Sequence, residues 1–128
     1  DRPVHRLDPA IMLPAIGQGV IALQVRAHDR TVRDQLAALD DPPTRAAYEG
    51  ERAFVAALGG NCQTAIAALG ICAEERLILE GAVLNPEGTR VVRDRVTGAA
   101  AQADAVGRTL GSRLLHMGAQ RLLAGVAS

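Results

Sequence analysis

Cys62 has the most chemistry to offer. It follows Gly59-Gly60-Asn61, and both Gly and Asn tolerate left-handed backbone. A loop so built, between a helix end and a strand start, can present the thiol outward. A presented thiol is a nucleophile once deprotonated. The same position also suits a small apolar residue filling a helix-to-strand loop, and the residues alone leave both readings open. Cys72 falls inside an apolar strand pattern and reads as a buried, inert thiol. His5, His28 and His116 are scattered, and neither Cys has a partner at CxxC spacing, so no metal constellation is expected. In Arg26-Ala27-His28-Asp29, the neighbours His28 and Asp29 would point to opposite faces of a strand, which argues against a dyad. Gly17-Gln18-Gly19 is too short for a phosphate loop.

Composition narrows the classes. The chain has 128 residues, 48% of them apolar, enough for one small domain with a core. Much of that fraction is small, with 24 Ala beside 15 Leu. Tyr48 and Phe54 are the only aromatics, so stacking platforms for nucleic acid are not expected. Fourteen Arg balance fourteen acidic residues, with no Lys, so there is no bulk field to hold a polyanion. Arg binds carboxylates bidentately where Lys acts as a point charge, although a GC-rich genome would give the same bias. No apolar run approaches the length of a membrane span. The absence of a signal-peptide pattern and the two Cys lead us to expect a reducing, cytoplasmic setting without a disulfide framework.

The elements that must position Cys62 can be read along the chain. Pro3, Pro9 and Pro14, closed by Gly17-Gln18-Gly19, mark a linker or crossover. Residues 20–25 form an apolar run that suits a strand buried on both faces, yet no partner lies close in sequence. Thr31 with Asp34 resembles a capping box, with Val32, Leu36 and Leu39 as its helical stripe. Asp41 can cap a second helix with Pro42 at its first position; its stripe is Ala47, Phe54 and Leu58, and Gly59-Gly60 stops it. Strands are expected over 65–73, 77–83 and 89–96, with turns at Glu74-Glu75 and at Asn85-Pro86-Glu87-Gly88. Val106, Leu110, Leu114 and Met117, widened by Leu115, Ala119 and Leu122, define one long C-terminal helix. The economical packing is an α+β layer: a three-stranded antiparallel sheet covered on one face by helices.

Two motifs in order, Leu13-Pro14-Ala15-Ile16-Gly17-Gln18-Gly19 and Gly59-Gly60-Asn61-Cys62-Gln63-Thr64-Ala65-Ile66, resemble the C-terminal part of the porphobilinogen deaminase family, also called hydroxymethylbilane synthase. The resemblance includes Arg26 and the Asn85-Pro86-Glu87-Gly88 turn. It implies a three-domain parent. Residues 1–29 would then be hinge, crossover and strand belonging to N-terminal α/β domains, and residues 30–128 the α+β domain that carries the cofactor. It further implies a transferase that joins four porphobilinogen units into hydroxymethylbilane with release of ammonia, in tetrapyrrole (heme) biosynthesis. The primer is a dipyrromethane cofactor held by a thioether, and Cys62 matches the tether. Loss of ammonia from porphobilinogen gives a soft carbon electrophile, for which a thiolate is the fitting nucleophile. Cys62 would lie just past a helix C-terminus, where the dipole disfavours a thiolate, so the reactivity of the electrophile is expected to drive attachment. Gln18 and Gly19 match a segment near the cofactor and substrate cleft; Arg26 matches a family Arg that contacts substrate or bridges domains.

Asn61 stands where the family commonly has Gly, and Ala65 where it usually has Pro. Both changes are compatible with attachment. The family's catalytic Asp belongs to the first domain and matches nothing in these residues. The 128 residues are therefore expected to be an inactive fragment on their own, with the N-terminal domains as partner and with self-association through the unpartnered run 20–25. A non-catalytic α+β interaction module with an incidental thiol is the other reading, and a pyrrole adduct on Cys62 discriminates the two. An RNA-binding sheet has the right shape class but lacks aromatics.

Overall fold

The computed structural model describes residues 4–59 and 65–124. Cys62 lies outside the described residues.

Helix α1 (Arg30–Ala37) starts one residue before Thr31, and Asp29 caps it by accepting the Val32 N–H at 3.1 Å. The expected box at Thr31 and Asp34 is thus replaced by an earlier cap. A carboxylate serves the free N–H groups and also meets the positive end of the helix dipole. Asp29 is thereby committed to backbone. Helix α2 (Pro42–Leu58) begins and ends as the sequence predicts. Asp41 accepts the Thr44 N–H at 3.0 Å, Pro42 takes the first position, and Gly59 closes the helix in the left-handed region.

Three strands follow: β1 (Ile66–Ala73), β2 (Arg76–Leu84) and β3 (Val91–Ala99). They form one antiparallel sheet in the order β1-β2-β3, with Gly70 opposite Leu79 and Leu79 opposite Val96. The β1–β2 turn places Glu74 and Glu75 at positive φ, the backbone a two-residue hairpin needs to match strand twist. Strand β3 begins later than expected because Asn85 ties off the preceding turn, its side-chain oxygen accepting the Arg90 N–H at 2.7 Å.

The C-terminal helix is two helices, α3 (Ala103–His116) and α4 (Ala119–Leu123). The expected single helix breaks at Gly118, whose φ of 97° takes the chain out of helical backbone. The apolar stripe continues across the break, since Leu114, Ala119 and Leu122 are all buried. That continuity is why periodicity alone did not show the interruption.

Helices α2 and α3 cover one face of the sheet, and Phe54, Leu77, Leu79, Val83, Leu110 and Leu114 form the fully buried centre. The abundance of Ala and Gly has a packing cause. A Cβ at Gly111 would stand 2.6 Å from that of Ala57, and one at Gly107 would stand 2.7 Å from that of Ala53. The two helices approach too closely for larger residues. The other face of the sheet leaves Ile71 and Ile78 exposed. Residues 20–26 carry no regular secondary structure, and no strand of this chain pairs with them among the described residues. No helix among those residues is long and apolar enough to cross a membrane.

Candidate functional site

Helix α2 runs up to Gly59 and β1 leads away from Ala65, so these two residues fix the ends of the connection that contains Cys62. Ala65 is held from the sheet side, its carbonyl accepting the Leu84 N–H at 2.9 Å.

The N-terminal segment comes to the same strand. Arg93 of β3 donates from Nη1 to the Ala10 carbonyl at 2.9 Å and from Nη2 to the Pro9 carbonyl at 3.1 Å. On the opposite edge of the sheet, the Pro14 carbonyl accepts the Ala68 N–H of β1 at 3.2 Å. Two strand spacings amount to about 10 Å, within reach of the residues between these anchors. The segment therefore crosses the open face as a strap. Ala82 of β2 shares that face with Arg93, its partner in register, and is buried. Leu13 is buried and Ile16 packs against the core. Arg93 is itself held by Glu80, Nε to Oε1 at 2.6 Å, and Arg95 donates to the other Glu80 oxygen at 2.7 Å. Burial pushes the Glu80 carboxyl up, but hydrogen bonds and charge from Arg95 and Arg93 outweigh it and hold the group below its ordinary range.

Past the strap the chain turns sharply over 15–18. The Gln18 N–H donates to the Ala15 carbonyl, and the Gln18 side-chain oxygen accepts the Ala15 N–H, both at 3.1 Å. Gly17 has φ of 67°, and a Cβ there would stand 2.8 Å from the Tyr48 ring, so the turn demands Gly on two counts. Gln18 and Gly19 are exposed, and nothing lies within 4 Å of where a Gly19 Cβ would be. Gln18 and Gly19 thus follow directly on a turn that Pro14 and Glu51 tie to the edge of β1. Arg26 is exposed beside the start of α1, and its carbonyl accepts the Asp29 N–H at 3.1 Å. It makes no side-chain hydrogen bond or ion pair among the described residues. Cys72 is a free thiol that packs against the core but is half-buried, where its place in the strand pattern suggested full burial. No metal-binding group of His, Cys, Asp and Glu occurs among the described residues.

Sequence reasoning missed Glu51. It is buried on α2, and its two carboxylate oxygens accept the Gly17 N–H and the Gly70 N–H, each at 2.8 Å. The signal was present. Glu51 stands four residues after Ala47 and three before Phe54, inside the apolar stripe of the helix, where a carboxylate must be paired.

The fold and these contacts define a class: an α+β domain with a three-stranded antiparallel sheet, strapped by a segment that precedes it. The comparisons name the family. The chain belongs to the family described as "Porphobilinogen deaminase, C-terminal domain", whose model matches residues 46–116. It is 41% identical over 126 residues to the porphobilinogen deaminase of Desulforudis audaxviator, which covers 98% of this chain and 41% of that protein. It is 43% identical over 113 residues to the one from Moorella thermoacetica, covering 88% of this chain and 36% of the relative. With the enzyme of Thiobacillus denitrificans the identity is 40%, over 87% of this chain and 36% of the relative. The chain spans about two fifths of the length of the first of these curated relatives and somewhat less of the others.

Proposed function

We propose that these residues are the cofactor-carrying part of a hydroxymethylbilane synthase, a transferase of tetrapyrrole biosynthesis that condenses four porphobilinogen units and releases ammonia. The observation that carries this reading is the family match over the helices and sheet that flank the Cys62 connection. In it, Cys62 forms the thioether to dipyrromethane. The Cys62 sulfur replaces the amino group of a porphobilinogen unit, a C–S bond forms, and the nitrogen leaves as ammonia with the thiol proton. When bound, the dipyrromethane supplies the primer onto which further units are added. The described residues fit a carboxylate-bearing pyrrole group beside the strap. Among the described residues, backbone at Gly19 is open, and the Gln18 carboxamide keeps its N–H donors free while its oxygen braces the turn. Arg26, exposed and unpaired within the described residues, serves as a carboxylate or interdomain contact.

The same reading assigns the catalytic carboxylate and most substrate contacts to N-terminal domains of a cytoplasmic parent. Residues 1–29 connect to those domains, and residues 20–25 find their sheet there. In a preparation of residues 1–128 alone, the uncovered run pairs with a second copy, and turnover of porphobilinogen is absent.

The test is a chimera in which residues 1–128 replace the matching 126-residue stretch of the Desulforudis audaxviator protein. Turnover of porphobilinogen by the chimera, abolished by Cys62→Ala but retained in Cys72→Ala, is expected. A folded chimera as active with Cys62→Ala as without it would overturn the reading in favour of an interaction module with an incidental thiol.

A further inference from the structure

Glu51 is a charged group placed where the core would favour an apolar side chain. It is 6% exposed, and both of its oxygens accept backbone N–H groups. Those donors belong to parts of the chain far apart in sequence. Gly17 precedes Gln18 and Gly19, while Gly70 lies in the middle of β1, the strand that leaves the Cys62 connection. Among the described residues both N–H groups are without backbone partners, for a physical reason. Gly17 sits in a left-handed turn, and Gly70 points its N–H out of the sheet at an edge strand. The next outward N–H of the same edge, that of Ala68, is taken by the Pro14 carbonyl. One buried carboxylate therefore completes the edge of β1 and fastens the turn beside it.

We propose that Glu51 is a positioning residue: its carboxylate clamps the Gly17 turn to β1, and so fixes Gln18 and Gly19 relative to the strand that follows the cofactor-bearing loop. This rests on the reading of Gln18, Gly19 and Cys62 given above. A carboxylate is the side chain the geometry selects, because it presents two acceptors and no donor. Glutamine of the same length would turn an N–H₂ toward one of the two N–H groups. Charge-assisted hydrogen bonds are also the stronger kind. Gly17 is the matching half of the clamp. A Cβ there meets the Tyr48 ring and a φ of 67°, so a side chain would push the turn off the carboxylate.

The test has two arms. In residues 1–128, amide exchange followed by NMR should speed up about tenfold or more at Gly17 in Glu51→Gln. Amides of Leu79 and Leu110 in the core should keep their wild-type protection. Unchanged exchange at Gly17, or equal loss of protection throughout, would overturn the clamp. In the chimera, Glu51→Gln and Gly17→Ala should each raise KM for porphobilinogen several-fold while peptide mapping still finds the adduct on Cys62. The double variant should be no worse than the more impaired single one, because both break one contact. Additive losses, or kinetics unchanged despite a freed Gly17 amide, would remove the positioning role. A wild-type chimera that folds without turnover would count against the proposed function and leave the exchange result to decide the clamp.

Discussion

Residues 20–25 and residues 77–83 are both short apolar runs that read as strands, and they end in opposite states. Leu77, Leu79 and Val83 are fully buried in β2, between β1 and β3 and beneath α2 and α3. Ile21 is 87% exposed and Leu23 56% exposed, with no strand beside them among the described residues. The difference lies outside both runs. A strand is stabilised by its neighbours' hydrogen bonds and by the surface that covers its face. The second run finds both within sixty residues of sequence on either side. Among the described residues the first meets the shoulder of α1 and α2, where Val20, Leu23 and Val25 line an open groove of about 420 Å³ with Leu36, Thr44 and Tyr48.

The strongest way to break the contrast is to remove what covers β2. Phe54→Ala deletes a ring that is fully buried and against which a Gly81 Cβ would collide. A cost of about 3–5 kcal/mol is expected, read by urea unfolding, and is large enough to leave the domain marginal. Gly107→Ala tests the close approach of α2 and α3, since the new methyl would stand 2.7 Å from the Ala53 Cβ and 2.8 Å from the Phe54 nitrogen. Overpacking of this kind should cost about 1–3 kcal/mol, measured as a lower midpoint at unchanged slope.

A smaller effect separates the strap from the core. The Glu80 carboxyl is held below its ordinary value of 4.5 by Arg95 and Arg93, against the opposing effect of burial. A depressed native value means that its contribution to stability is present above about pH 4.5 and is lost as pH falls through the lower native value. Glu80→Gln should flatten that part of the acid limb and release the Pro9 and Ala10 end of the strap, seen as faster amide exchange at nearby residues. The smallest effect is expected at the first run. Leu23→Ser should change stability by no more than about 0.5 kcal/mol yet weaken self-association in light scattering. A large loss of stability in that variant would mean that the run is covered within this chain after all.

Much of the layer was legible because it rests on local rules. Asp41, Pro42 and Gly59 bound α2 as their residue types dictate, and the apolar run from Leu77 to Val83 between two turn signals marks a strand. The misplacements have physical causes. Thr31 and Asp34 offered a plausible cap, but Asp29 was close enough to win. The helix break at Gly118 hid behind an unbroken apolar stripe. The candidate site was less legible, because its contacts join residues far apart in sequence. Gln18 and Gly19 could be singled out, but the turn that precedes them is held by Glu51, Arg93 and Ala68. Only the oddity of Glu51 within an apolar stripe pointed that way.

The proposed role of Cys62 is to carry the primer of a hydroxymethylbilane synthase. The most direct measurement is peptide mapping by mass spectrometry of the chimera after exposure to porphobilinogen. A gain equal to two condensed porphobilinogen units is expected on the peptide containing Cys62 and none on the peptide containing Cys72. An unmodified Cys62 in a folded chimera, under conditions where the parent Desulforudis audaxviator protein acquires its adduct, would contradict it.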